Sequence, residues 1–406
     1  MKLRLIILAA NAIGWVSRVT RRGSGVMLTG RFILKLQPNA AAILAEDRRV
    51  VLVSGTNGKT TTTALVHAAI STKFSTVTNF TGANLFAGVA TALSQDSTAP
   101  VAVLEVDELV LPWAITETKP ELVLLLNLGR DQLDRLSEVR VVAQKWKEAV
   151  TTLPAASIIL ADADDPFVVW AVRDWKRTTW FSSGSMGHLD ASTCPECGEV
   201  LWWNEKGSDF SCECGFARPK PDWVLAKGIL RGPKNKKIEV KSGIPGKAAI
   251  SNSARAIVAA AHFAIPFEES AKAVTTITSV DGRFGIITIG KTRYRLLLAK
   301  NPASWRETLT TSEAGPTSVL LVVNANTQDG KDTSWLWDVD FTSLSSRRVV
   351  VSGDRRSDVS ARLTVNGITH EVVRDEIAAS RIFGKVDADL IASYTAFHRL
   401  AKGVRR

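Results

Sequence analysis

The sequence predicts an α/β protein: a central, mostly parallel sheet with helices on its faces, an inserted cysteine ribbon, and a smaller C-terminal α/β unit. Three observations predict it. The apolar run Val50-Val51-Leu52-Val53 passes through a glycine loop into an apolar-periodic segment at 64–70. Strand-like and helix-like segments then alternate from 50 to about 290, as in a parallel sheet covered on both sides. All four cysteines fall between 194 and 214, in a stretch for which such a sheet has no use.

The chain has 406 residues, enough for two or three domains with their own cores. Hydrophobic residues at 45% and charged residues at 22% fit a globular protein and exclude a disordered one. A net charge of +11 calls for an anionic partner or surface. No Lys/Arg-rich block carries interleaved aromatics, so no nucleic-acid partner is expected. The basic residues of the lead, residues 1–45, flank apolar stretches instead: Lys2, Arg4, Arg18, Arg21, Arg22, Arg31 and Lys35. Its periodicity predicts a helix over 4–18, with Leu5, Ala9, Ala12, Ile13 and Val16 on one face. That face packs on the protein or grazes a membrane. The apolar run falls short of the roughly 18–20 residues that span a bilayer. A phosphate-binding loop so soon after it argues against a secretory signal, so the expected location is cytoplasmic, with contact at the inner face of the cell membrane left open.

The strand at 50–54 is expected to end in the loop Gly55-Thr56-Asn57-Gly58-Lys59-Thr60-Thr61. Backbone N–H groups of such a loop, together with a helix N-terminus, cradle phosphate oxygens. Lys59 would reach the β- and γ-phosphates of ATP, and the Thr60 hydroxyl would meet Mg²⁺. The bland alternative is a glycine turn with no ligand, and Lys-Thr-Thr at a helix start argues against it. Further strands are expected at 74–78, 100–105, 121–127, 157–161 and 177–181. Ligands of open α/β sheets sit at the carboxyl ends of strands. There lie Glu105-Val106-Asp107-Glu108, with Glu108 the candidate for Mg²⁺, and Asn127 through Arg130, Asp131 and Asp134. A helix is expected over about 248–263, led by Asn252.

Cys194-x2-Cys197-Gly and Cys212-x-Cys214-Gly are separated by fourteen residues. Two such pairs close a tetrahedral Zn²⁺ site with no open position, so a structural zinc ribbon, inserted at 188–220, is expected ahead of free thiols or a redox pair. Beyond the main unit at 46–290, residues 291–406 restart the pattern. Strands are expected at 293–298, 318–323 and 347–352, helices near 303–313 and 375–382, and a last helix over 387–401.

Taken together, the phosphate loop, the Glu105/Glu108 strand end, Asn127…Asp131…Asp134, Asn252 and Asp281-Gly282-Arg283 resemble the Mur ligase family, ATP-dependent carboxylate–amine ligases of cell-wall synthesis. The resemblance implies that ATP converts a carboxylate to an acyl phosphate, which an amine attacks, and that Asn252 and Arg283 lie near the nucleotide. The sequence departs from ordinary members in three ways: only about 45 residues, expected to be helical, precede the loop where those members have a UDP-sugar domain; it has the cysteine insertion; and it carries Asp329-Gly330-Lys331-Asp332-Thr333-Ser334-Trp335-Leu336-Trp337-Asp338. These departures resemble the family branch that amidates the D-glutamate α-carboxylate of lipid II with ammonia from a GatD-like glutaminase subunit. This branch implies a heterodimer acting on lipid II at the membrane surface, in which an aspartate of the ligase completes the glutaminase Cys–His pair. Asp332 is the first candidate for that catalytic carboxylate and Asp338 the second. Competing readings are a self-sufficient ligase of the peptide-adding or folylpolyglutamate type, and an ATP-switched scaffold.

Overall fold

The computed structural model describes residues 2–20, 25–79, 82–129, 139–184, 191–280 and 284–403. The chain divides into two compact units. The described residues before 244, with 250–277, form the first; residues 244–249 and those from 278 onward form the second.

The first unit opens with helices α1 (Lys2–Val19), α2 (Val26–Leu36) and α3 (Ala40–Ala45). Strand β1 (Arg49–Ser54) follows, then α4 (Lys59–Ile70), β2 (Thr76–Thr78), α5 (Phe86–Ser94), β3 (Val101–Glu105), α6 (Leu111–Thr118) and β4 (Leu122–Leu125). The alternation continues through α7 (Val139–Val150), β5 (Ile158–Asp162), α8 (Pro166–Val172) and β6 (Thr178–Ser182). The ribbon contributes the short pair β7 (Trp202–Trp203) and β8 (Phe210–Ser211). After it come β9 (Trp223–Ala226), β10 (Ile229–Gly232), β11 (Lys236–Glu239), α9 (Lys247–His262) and α10 (Phe267–Thr275).

Nine strands form one sheet in the order β11-β10-β9-β6-β5-β4-β1-β3-β2. All neighbours from β2 through β9 pair parallel, and β9-β10-β11 is an antiparallel meander on one edge. Runs such as Val50–Val53 and Leu122–Leu125 are apolar throughout because both faces of these strands are covered by helices. In the meander only β9 is such a run, and its exposure alternates; β10 and β11 are mixed, and the sequence analysis places no strand there. Strand β1 sits between β3 and β4, so the ends of those neighbours flank whatever follows β1.

The helical lead holds a surprise of orientation. Ile6, Ala10, Gly14 and Ser17 are the buried positions of α1, whereas Leu5, Ala9, Ala12, Ile13 and Val16 face outward. Small residues decide this. A Cβ on Gly14 would stand 2.3 Å from Thr29 Oγ1, so α1 and α2 meet closely where side chains are smallest.

The second unit is a six-stranded sheet of β12 (Phe284–Ile289), β13 (Thr292–Leu298), β14 (Ser318–Val322), β15 (Arg348–Ser352), β16 (His370–Val372) and β17 (Asp387–Ala392). Its order is β12-β13-β17-β14-β15-β16, parallel except for β12. Helices α11 (Pro302–Glu313), α12 (Arg356–Val365), α13 (Glu376–Phe383) and α14 (Tyr394–Gly403) accompany it. The last helix expected at 387–401 is thus corrected: its first half is the central strand β17. Asp387 and Asp389 made the segment look like a surface helix, yet Asp389 is fully buried, bonded to Arg295 Nε at 2.6 Å and to Ser312.

Candidate functional site

The phosphate loop joins β1 to α4 as its sequence requires. Gly58 is the N-cap of α4 with φ of 85°, a left-handed conformation that glycine adopts without strain. A Cβ there would lie 3.2 Å from the Asn252 amide, so this glycine also admits α9 against the loop. The first turn of any helix leaves its N–H groups without intrahelical acceptors, and here those belong to Lys59, Thr60 and Thr61.

Asn127, just beyond β4, fixes the loop. Its Oδ1 accepts from Asn57 N at 2.9 Å, its Nδ2 donates to Asn57 O at 3.0 Å, and its backbone O accepts from Thr56 N at 2.8 Å. Thr56 Oγ1 in turn accepts from Gly129 N at 3.0 Å. Buried Asp165 holds that segment from α8, accepting from Leu128 N at 2.7 Å while capping its own helix through Phe167 N and Val168 N.

Two carboxylates at the end of β3 divide the loop's side chains between them. Lys59, almost wholly buried, donates to Glu108 Oε2 at 2.8 Å and to Gly55 O at 2.5 Å. Thr60 Oγ1 donates to Glu105 Oε1 at 3.2 Å. Glu105 is 2% exposed and also accepts from Asn84 Nδ2 at 3.2 Å, while Asn79 brackets its backbone on both sides. The backbone O of Glu108 accepts from Trp146 Nε1 of α7 at 2.8 Å. Thr60 and Glu105 present hard oxygen ligands side by side, the donor set that suits Mg²⁺.

Of the sequence-stated candidates, Gly55, Thr56, Asn57, Gly58, Lys59, Thr60, Thr61, Glu108 and Asn252 lie in this one region of the first unit. Arg283, with Arg130, Asp131, Asp134, Asp281 and Gly282, lies outside the described residues. The contact between Glu105 and Thr60 was not singled out by sequence, because any of three acids in Glu105–Glu108 could have turned inward. Asn79 carries no motif that marks it, while Asn127, just beyond β4, belongs to the family resemblance but is not marked by it as the anchor of the loop.

The four cysteines converge. Their sulfurs lie within 4.8 Å of one another, with Cys194–Cys214 at 3.7 Å and Cys197–Cys212 at 3.5 Å. A tetrahedron with Zn–S bonds of about 2.3 Å has edges of about 3.8 Å, so the cluster fits Zn²⁺. Burial pushes the Cys194 thiol up to about 12, so a cation is what would hold it as thiolate at neutral pH. Glu196, on the first knuckle, ties the ribbon to α8 by accepting from Trp170 Nε1 at 2.7 Å and Arg173 Nη2 at 2.9 Å. Arg218, leaving the ribbon, pairs with Asp164 at 2.7 Å.

In the second unit Asp332 is exposed and accepts from Ser334 N at 2.8 Å, a bond that holds its carboxyl below the usual aspartate range. It opens a short 3₁₀ helix, Ser334–Asp338, whose two tryptophans part ways. Trp335 is buried against Trp305, while Trp337 is 58% exposed beneath the Arg362 guanidinium. Asp338 is exposed on the same helix. Buried Asp329 ties the preceding loop to the start of α14, accepting from Thr395 N at 2.7 Å and Thr395 Oγ1 at 2.5 Å.

Comparison with known proteins agrees with this architecture. Residues 53–260, just over half the chain, match the Mur ligase middle domain, and residues 298–397 match the MurT ligase C-terminal domain. The chain is 28% identical to the MurT subunit of the glutamine-hydrolysing lipid II isoglutaminyl synthase of Streptococcus pneumoniae, over 98% of this chain and 95% of that one. It is 29% identical to the MurT subunit from Staphylococcus aureus strain COL, over 84% of this chain and 82% of that one. In fold it resembles a pseudomurein peptide ligase type C from Methanothermus fervidus, with a TM-score of 0.68 and 19% identity over 88% of this chain and 78% of the other. It likewise resembles the MurF ligase of Thermotoga maritima solved with ADP, with a TM-score of 0.61 and 15% identity over 90% and 82% of the two chains. With its phosphate loop between two acid- and amide-bearing strand ends, this chain belongs to the Mur ligase family.

Proposed function

We propose that this chain is the ATP-dependent ligase subunit of a lipid II isoglutaminyl synthase, amidating the α-carboxylate of D-glutamate in the lipid II stem peptide. The observation that carries the reading is its likeness to two MurT subunits along 95% and 82% of their lengths. The cradle between β1 and α4 supports it, because that geometry receives a triphosphate.

In this reading the N–H groups at Gly58–Thr61 and the Lys59 ammonium bind the β- and γ-phosphates, and Asn252 walls the loop from α9. Thr60, Glu105 and Glu108 would hold Mg²⁺, which neutralises phosphate charge. Arg283 is assigned to the nucleotide on family resemblance alone. The substrate carboxylate attacks the γ-phosphorus and ADP leaves, giving an acyl phosphate. Ammonia then attacks the acyl carbon, inorganic phosphate departs with the C–O bond, and the amide forms with loss of a proton. All four cysteines belong to the ribbon, whose Zn²⁺ would be structural. Glutamine hydrolysis therefore falls to a GatD-like glutaminase subunit in a heterodimer. Asp332, ionised and exposed beside Trp337, is the carboxylate offered to that partner's histidine, where it would fix the imidazole tautomer; Asp338 is the second candidate. A lipid-linked substrate puts the work at the cytoplasmic face of the membrane.

The test is amidation of lipid II with ATP, supplied with ammonium or with glutamine, with and without a co-expressed glutaminase. Carboxamide formation from ammonium by the chain alone, and from glutamine only with the partner, is the expected result. ATP hydrolysis driven instead by a free amino acid, without amidation, would return the chain to the self-sufficient ligases.

A further inference from the structure

Helix α1 is amphipathic in the wrong sense for a helix packed on its own protein. Its buried side is Ile6, Ala10, Gly14 and Ser17, set against Gly25, Thr29 and Ile33 of the α2 hairpin arm. Its outward side is the more apolar one. Leu5, Leu8, Trp15, Val16 and Val19 are between 51% and 66% exposed and Ile13 is 36% exposed. At 100° per residue these six, with Ala9 and Ala12, cover an arc of roughly 160°. A contiguous apolar surface above about a few hundred Å² marks an interaction site.

Charge identifies what covers it. Residues 1–45 carry seven Lys and Arg and not one Asp or Glu. Arg4, Asn11 and Arg18, spaced by sevens, run along one border of the apolar arc, and all three are exposed. Arg31 and Lys35 are exposed on α2. A surface that takes an apolar stripe and a basic border together is a bilayer interface with anionic headgroups, and Trp15 is the side chain that settles at such a boundary. No described helix is long and apolar enough to cross a membrane, so α1 would lie in the interface plane.

We infer that the outward face of α1 is a docking surface for an anionic lipid bilayer, with Leu5, Leu8, Trp15, Val16 and Val19 entering the acyl boundary and Arg4 and Arg18 meeting the headgroups. This deepens the lipid-linked substrate reading but rests on the helix alone. The assay therefore uses substrate-free vesicles and no ATP, so its failure and a failure of amidation are separate results.

The experiment is flotation of the full chain with phosphatidylcholine vesicles and with vesicles that also contain phosphatidylglycerol. Binding to the anionic vesicles, reduced by salt, is expected. Leu8→Gln with Trp15→Gln should weaken it by roughly tenfold or more, and Arg4→Gln should weaken only the anionic arm, by about fivefold. Unchanged circular dichroism and melting would show that the variants fold, as expected for positions already in solvent. Absence of vesicle binding by the parent chain, or binding indifferent to both variants, overturns the inference. A change from dimer to monomer in Leu8→Gln/Trp15→Gln on sedimentation would assign the face to a second copy of the chain, and loss of a co-expressed protein partner would assign it to that protein; either also overturns it.

Discussion

Lys59, Thr60, Glu105 and Glu108 form two neighbouring pairs, and their substitutions should separate. Lys59→Ala removes the cation that the proposed function assigns to the phosphates and should lower ATP turnover by about 100-fold or more, read as ADP release. The two glutamates are distinguishable by nucleotide affinity. Glu105→Gln and Glu108→Gln should both raise the Mg²⁺ needed for half-maximal rate, since both are assigned to the ion. Glu108→Gln should in addition change nucleotide affinity, because its carboxylate holds Lys59, whereas Glu105 touches Thr60. Asp332→Asn should depress the glutamine-dependent rate by about 100-fold and spare the ammonium-dependent one; equal loss with both nitrogen sources would remove Asp332 from the glutaminase role. The loop itself was legible because its glycines and Lys-Thr-Thr are local. Its supports were less so: Asn127 was marked only as a strand end within the family resemblance and Asp165 not at all, because both act through backbone groups that are distant in sequence.

Elements differ in how openly they declare themselves. The strands at 50–54, 100–105, 157–161 and 177–181 fall within a residue or two of β1, β3, β5 and β6; the first three are buried and nearly pure apolar runs, whereas half-buried β6, Thr178–Ser182, stands out only by its place in the alternation. Strand β17 hid behind Asp389, whose charge is neutralised inside the second unit by Arg295, with Arg347 3.7 Å away. The orientation of α1 was equally hidden, because glycine and alanine positions set the contact and apolar periodicity cannot weigh them. Two predictions belong at this scale. Asp165→Ala removes the cap of α8 and leaves Leu128 N without its acceptor, and should cost about 2–3 kcal/mol in denaturant unfolding. Asp375 caps α13 by accepting from Ala378 N, a bond that lowers its pKa. Its contribution is therefore complete above the ordinary aspartate value and fades as pH falls through the lowered one. Protection of the α13 amides, relative to their intrinsic exchange, should fall at that acid edge, and Asp375→Ala, which removes the acceptor, should lower it already at neutral pH.

For the molecule as a whole, metal analysis should find one zinc per chain. Chelation, or Cys194→Ser with Cys197→Ser, should lower the melting temperature by about 5 °C or more. Because Glu196 and Arg218 tie the ribbon to α8 and to Asp164 beside β5, its loss should loosen that flank before the phosphate loop. The Lys59–Glu108 pair bears on how such an enzyme meets a cell crowded with phosphates. Without nucleotide the two charges cancel, so an arriving phosphate must evict a carboxylate before it gains the lysine. Inorganic phosphate or a lone monophosphate brings nothing to the displaced Glu108. A metal-bound triphosphate arrives with a cation of its own, and the evicted carboxylate has somewhere to go. On the proposed assignment of this pair, the loop would then work as a coincidence gate, closed to either ion alone and opened by the two together.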